Sequence, residues 1–285
     1  MPIRNPLEWG LDQLRQANDM AGSMNRPVHT QAELGTAEPT IRHITVADIA
    51  HALALGVEDF KACRTDVVFL SVAYPVVGLI LWRLATGYDL LPLIFPLSSG
   101  FALVGPFAAI GLYEMSRRRE QRMPITIGDA FGVLRSPSLG EIVVLGLVLV
   151  ALFLFWLVAA EEIYRLTLGP DEPSSIAGFA HDVLLTQAGW TLIVVGIAVG
   201  FLFAVVVLAI SIVSFPLLLD RGVGIDTAVA TSLRAVAMNP GPVALWGAIV
   251  AGSLVVGSIP LFVGLVVIMP ILGHATWHLY RRLIV

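Results

Sequence analysis

The sequence predicts an all-α, polytopic membrane bundle of six transmembrane helices arranged as three hairpins, each preceded by an amphipathic helix at the cytoplasmic surface. Three observations predict it. Hydrophobic residues make up 57% of the 285 and charged residues only 13%, with a mean hydropathy of +0.85, whereas soluble domains carry about 25% charged residues. Long charge-free intervals recur along the chain, and arginines gather at alternate borders between them. Three short segments of similar pattern precede the first, third and fifth intervals.

Residues 1–43 contain no run long enough to cross a bilayer. Leu7, Trp9, Leu11 and Leu14 suit one short amphipathic helix after Pro6, either a partner-binding helix or a loose interfacial anchor; residues 22–40 read as linker. This tail is expected to be largely disordered and cytosolic, and its basic start has no apolar run behind it, unlike a signal peptide. Residues 44–285 form the membrane domain.

About 20 apolar residues cross a hydrocarbon core of about 30 Å. Val67 to Trp82 is short, and Arg83 extends it by snorkelling. Leu90 to Tyr113, Ile142 to Ala160 and the run from Val183 to Leu219 supply three more spans. From Pro242 to Tyr280 no formal charge occurs, and at about 1.5 Å per residue this stretch is about 58 Å of helix, too long for one crossing. Proline lacks an amide hydrogen and clashes with the preceding turn, so the break is expected at Gly257-Ser258-Ile259-Pro260, giving a fifth and a sixth span.

With the N-terminus inside, 15 of the 17 Lys and Arg lie on the cytoplasmic side and only Arg83 and Arg165 outside. That is the bias of an inner-membrane protein with both termini cytoplasmic. The three short segments are TVADIAHAL from Thr45, TIGDAFGVL from Thr126 and GIDTAVATSL from Gly224. The first two share Thr-x-x-Asp, a capping-box-like start, which the third has lost. In the first, Val46, Ala50, Leu53, Val57 and Phe60 fall on one helical face.

His274 and His278, four residues apart on one face of the sixth span, are the candidate metal ligands. They lie about 21 and 27 Å along a helix starting at Pro260, in the cytoplasmic third of the bilayer. No other span offers a histidine for a facing haem ligand. Ala275 stands where a zinc protease places its glutamate, and two ligands underfill a zinc site. A metal site requires the first amphipathic helix to bring His51, Asp48 or Glu114 close. Otherwise the pair anchors the helix, with Trp277, Tyr280, Arg281 and Arg282 beside it at the interface. The single cysteine, Cys63, has neither a disulfide partner nor a metal motif.

Gly105, Ala108, Ala109 and Gly111 in the second span permit close helix contact, and Glu114 with Arg117 to Arg119 marks its cytoplasmic border. Gly196 with Gly200, and Gly247 with Ala251, are further small-residue pairs for helix packing. The central thirds of the spans carry no Asp, Glu, Lys or Arg, unlike coupled transporters and pumps. No Walker loop, nucleophile elbow or paired carboxylates occur, so an enzyme is disfavoured. No cofactor and no nucleic-acid partner are expected.

ALVGPFAAIGLYEMSRRRE (102–120), FPLLLDRGVGIDTAVATSLRAVAMNPGPV (215–243) and VVIMPILGHATWHLYR (266–281) together resemble the bacterial integral membrane family called domain of unknown function 2189, over roughly residues 44–285. The resemblance implies a six-span inner-membrane protein without an established activity. Some members carry the label of cytochrome c oxidase subunit, but the catalytic oxidase subunit needs several histidines on facing spans, and only His274 and His278 are available. Three functions stay open: a non-catalytic scaffold or accessory protein packing against other membrane proteins, which is preferred; a channel or carrier for a small or lipid-like solute; and a haem- or metal-associated accessory subunit of a respiratory oxidase.

Overall fold

The computed structural model describes residues 39–63, 91–123, 125, 127–171, 173, 175–260 and 263–285. The expected tail helix around Leu7 to Leu14 and the expected first span, 67–82, lie outside them. The described residues are all-α. They form α1 (Val46–Ala62), a 3-10 turn (Leu91–Leu93), α2 (Ile94–Ala108), α3 (Ile110–Glu120), a 3-10 segment (Ile127–Arg135), α4 (Leu139–Thr167), α5 (Ile176–Leu185), α6 (Gln187–Ser211), α7 (Ser214–Asp220), α8 (Ile225–Met238), α9 (Pro240–Ser258) and α10 (Leu265–Leu283).

Among the described residues four stretches are long and apolar enough to cross a membrane: Leu91–Glu120, Leu139–Thr167, Gln187–Asp220 and Pro240–Ser258. Each follows a charge-free interval of the sequence. In the first, Pro106 stands inside α2 and the helix is interrupted three residues later, at Ala109. The helix from Pro240 stops at Ser258 and resumes at Leu265, so the last apolar interval is not one rod. A Cβ on Gly257 would lie 2.7 Å from Leu265, and one on Gly264 2.8 Å from the Gly257 backbone. Only glycine lets the two arms of this turn approach so closely.

α1 starts with a complete capping box: Thr45 accepts from the Asp48 amide, and Asp48 accepts from the Thr45 amide. The first repeat segment is thus capped as its pattern predicts, and α8 has no side-chain cap at Gly224. The second differs. Residues Ile127–Arg135 wind as a 3-10 helix, because Gly128 and Gly132 weaken α-helix within nine residues and the Ala130 carbonyl presses on α3, 2.9 Å from where a Gly111 Cβ would stand.

The buried face of α1 also differs from the one expected. Ile49, Ala52, Gly56, Asp59 and Phe60 are buried, while Val46 is 62% exposed. The face is shifted by about one residue, or about 100° of helix rotation. Contact with α10 decides this. A Cβ on Gly56 would stand 2.8 Å from the Ala275 side chain, the Ala275 amide and the Ile271 carbonyl. Such close approach selects the small residues, Ala52 and Gly56, over the larger apolar ones.

Residues 40–42, assigned by sequence to the tail, are tied to the other end of the chain. Arg42 N donates to Leu283 O (2.8 Å) and Val285 N to Thr40 O (3.0 Å). Asn239, 2% exposed, accepts from the Ile44 amide and donates to the carbonyls of Arg42 and Ala235. The arginine-rich end of the molecule is therefore a closed cap made from α1, α3, α7, α8 and the second half of α10.

Candidate functional site

Where α1, α3 and α10 meet, a carboxylate is buried. Asp59 sits one turn after Gly56 on the contact face of α1, and it is 4% exposed. Its Oδ2 accepts from Ser116 Oγ of α3 (2.5 Å) and from His278 Nε2 of α10 (2.8 Å), and its Oδ1 accepts from Arg119. Burial pushes the Asp59 carboxyl up, but the hydrogen bonds from His278 and Ser116 and the charge of His278 outweigh it and hold the group below its ordinary value.

His274 is the second layer. It is fully buried, and its Nδ1 lies 2.8 Å from Ser116 Oγ. A hydroxyl has one hydrogen to give, and Ser116 gives it to Asp59. The imidazole must therefore donate from Nδ1, and its second nitrogen is Nε2. That nitrogen is buried without a hydrogen-bond partner.

The order of these groups limits their chemistry. In a nucleophilic triad the imidazole stands between acid and hydroxyl and takes the hydroxyl proton. Here the hydroxyl stands between the acid and His274, and Ser116 is 1% exposed, so no substrate carbonyl reaches it. The arrangement clamps three helices with one charge.

The structure brings the two predicted histidines to a common partner, and that partner is one sequence reasoning missed. Asp48 instead pairs with Arg42 (3.3 Å) and Arg282 (3.7 Å), His51 is exposed, and Glu114 is held by Arg117 (2.8 Å) and Arg118 (2.9 Å). Among the described residues no three His, Cys, Asp or Glu side chains form a group that could hold a metal. The available signal was the spacing Ala52, Gly56, Asp59: two small residues and an acid on one helical stripe. Around the cluster, Trp277 Nε1 donates to Glu120 (3.1 Å), Arg281 reaches Glu120 (3.0 Å), and Tyr280 donates to Asp220 (2.7 Å).

The predicted small residues divide. A Cβ on Gly200 would meet Trp156 at 2.9 Å and one on Gly247 would meet Leu208 at 3.0 Å, so both sit in helix contacts. Gly105 has only Met269 near, at 3.9 Å, and Gly196 has nothing within 4 Å. Pro260 lies in the turn after α9 and is exposed.

A second polar feature lies beside the clamp. A cleft of about 550 Å³ opens where α3 ends, α4 begins and α7 ends, walled by Glu114, Arg117, Arg118, Asp129, Arg135 and Arg221 among others. Arg118 bridges Glu114 and Asp129 across it, at 2.9 and 2.6 Å.

No curated protein and no solved structure matches the chain. Residues 94–220 do match a family model, which takes in α2 to α7 and with them Ser116, Arg119 and most of the cleft walls, but leaves Arg221, α1 and α8 to α10 outside. Over residues 94–220 the chain is similar to the family described as predicted integral membrane protein (DUF2189).

Proposed function

We propose that this protein is a non-catalytic scaffold or accessory subunit of the bacterial inner membrane, which packs sideways against other membrane proteins through the outer face of α6. In this reading six spans cross the bilayer as three hairpins, with both termini in the cytoplasm and the Asp59 clamp at the cytoplasmic border of the membrane. The arginine bias of the sequence supports that orientation.

One observation carries the reading. Only 6% of the most apolar window of Gln187–Asp220 is buried, against 28% for Leu139–Thr167. Trp190, Val194, Ile197, Phe201 and Leu202 are all exposed by more than half, and Gly196, on the flank of that stripe toward Gly200, has nothing of its own chain within 4 Å of a Cβ. Lipid tails are as apolar as leucine, so helices associate in a bilayer through close fit, which small residues permit. A helix that its own chain scarcely embraces, notched by an open glycine, suits a partner helix.

The test is affinity isolation in mild detergent of the full chain and of a Gly196→Leu variant, followed by mass spectrometry. The expected result is a membrane protein recovered with the wild type and lost with the variant, while the variant keeps its melting temperature. Recovery of the lone protein under every growth condition overturns the proposal.

A further inference from the structure

We infer that the cleft between the ends of α3, α4 and α7 is a binding site for a phosphate group, presented as the headgroup of an anionic phospholipid of the cytoplasmic leaflet. The inference goes beyond a lateral partner and does not need one. It needs only that the arginine-rich end lie at the membrane border.

The charges in the cleft are unequally matched. Glu114 is engaged by Arg117 and Arg118, and Asp129 by Arg118. Asp220 accepts from Tyr280 (2.7 Å) and Arg281 (3.4 Å). The acids are thus each held by donors, whereas the cations have donors left over. Arg117 uses only its Nε on Glu114. Arg221 lies 3.9 Å from Asp220, beyond hydrogen-bond reach. Arg135 is exposed and makes no ion pair among the described residues. Three guanidinium groups with free N–H donors therefore line one cavity. A guanidinium fork matches phosphate oxygens two at a time.

The surroundings favour a lipid as the source of that phosphate. The cleft sits at the same-side ends of three apolar stretches, Leu91–Glu120, Leu139–Thr167 and Gln187–Asp220, which is headgroup depth. Phe131 and Leu134, on the cleft wall, are 57% and 54% exposed. Large apolar side chains beside arginines give an acyl chain a surface to lie on while its headgroup enters the cavity. The 3-10 segment thus supplies both, with Arg135 in the cleft and Phe131 at its lip.

The experiment is native mass spectrometry of the detergent-purified full chain, titrated with phosphatidylglycerol, phosphatidylcholine or inorganic phosphate. Three single variants run in parallel: Arg135→Gln, Arg221→Gln and, as control, Arg122→Gln, which removes a charge at the same end outside the cleft walls. Phosphatidylglycerol is expected to bind and phosphatidylcholine to bind at least tenfold more weakly. Each cleft variant should lose about tenfold in phosphatidylglycerol affinity, the factor of one charge-assisted contact, with Arg122→Gln within about twofold of wild type. Inorganic phosphate binding as tightly as phosphatidylglycerol supports the phosphate site and overturns the lipid as its source. Equal binding of both lipids, or equal loss in Arg122→Gln and the cleft variants, overturns the site. A failure here leaves the isolation result with Gly196→Leu untouched, because Gly196 is not among the cleft residues.

Discussion

The stretch from Gln187 to Asp220 is apolar throughout, yet its two ends live in different surroundings. Along α6, Phe201 is 65% exposed and Leu202 62%; from Val213 through Leu217 the chain is fully buried. Hydropathy does not separate these ends. What separates them is the polar chemistry nearby. The shafts carry no charge to satisfy and can face lipid, where apolar surface costs nothing. The arginine-rich end holds Asp59, Glu114, Glu120 and Asp220, each needing a donor, and the donors come from helices that fold over one another to supply them. Cohesion should therefore be concentrated at this end, and substitutions of similar size should cost very differently at the two.

The largest expected effect is at Asp59. Removing one partner of a buried charged network leaves the others unmatched, at about 3 to 5 kcal/mol. Asp59→Ala strands Arg119, His278 and Ser116 together, and α1 should come away from α10. A large drop in melting temperature, with rapid tryptic cleavage at Lys61 in α1, is the result that fits. An Asp59→Ala protein as stable as wild type would show that the three-helix clamp does not hold the cap. Gly56→Val comes next. Its added carbons would meet the Ala275 amide and the Ile271 carbonyl at 2.8 Å, and backbone cannot step aside as a side chain does. Overpacking of this kind costs about 1 to 3 kcal/mol. Thermal unfolding in detergent measures it, and the same change at Gly252, which has nothing within 4 Å, should leave the midpoint nearly unmoved.

How much of this was legible follows from range along the chain. The helix borders were readable because charges and prolines act locally: the break before Leu265 followed from a length and from Pro260, and the capping box from Thr45 and Asp48. The candidate histidines were also readable, as a pair four apart. Their partner was not. Asp59 and His278 are 219 positions apart, and the larger apolar residues of α1 pointed to a face about 100° away from the true one. Ala52 and Gly56 outweigh Val46 and Val57 because close backbone approach to α10 is worth more than burying two valines, and that comparison involves a second helix the periodicity of the first cannot register. The unequal matching of charges in the cleft was hidden for the same reason, since Arg118 reaches both Glu114, four residues away, and Asp129, across a turn.

A smaller effect sharpens the comparison within the cap. Thr45→Ala removes the hydroxyl that caps α1, at about 1 kcal/mol. The amide of Thr45, first, and then its hydroxyl hold the Asp48 carboxyl below its ordinary value, against a smaller opposing push from burial. A carboxylate with a lowered folded-state pKa stabilises the fold above its unfolded pKa, near 4, and that contribution fades as pH falls through the folded value. The wild type should thus lose more stability than Thr45→Ala on acidification below about pH 4, so the gap between their melting temperatures narrows. A gap that stays constant to pH 3 would mean the cap is not coupled to Asp48.

The smallest effect on stability is expected at Gly196 of α6, and its contrast with Gly200 is the most informative. Gly196 and Gly200 lie one turn apart on α6, with the same chemistry. A Cβ at Gly200 would press on the Trp156 ring at 2.9 Å, whereas one at Gly196 would meet nothing. Trp156 is 2% exposed and its Nε1 donates to the Pro96 carbonyl (3.0 Å), so the ring cannot swing away without breaking a buried hydrogen bond. Gly200→Leu should cost about 1 to 3 kcal/mol; Gly196→Leu should stay within about 0.5 kcal/mol, the range of surface changes. Equal melting temperatures for the two variants would mean that α6 does not rest on Trp156 at all. If the midpoints separate as expected while only Gly196→Leu loses a co-purifying membrane protein, then one turn of this helix serves the fold and the preceding turn serves association, since a residue that touches nothing in its own chain can be sensitive only through something outside it.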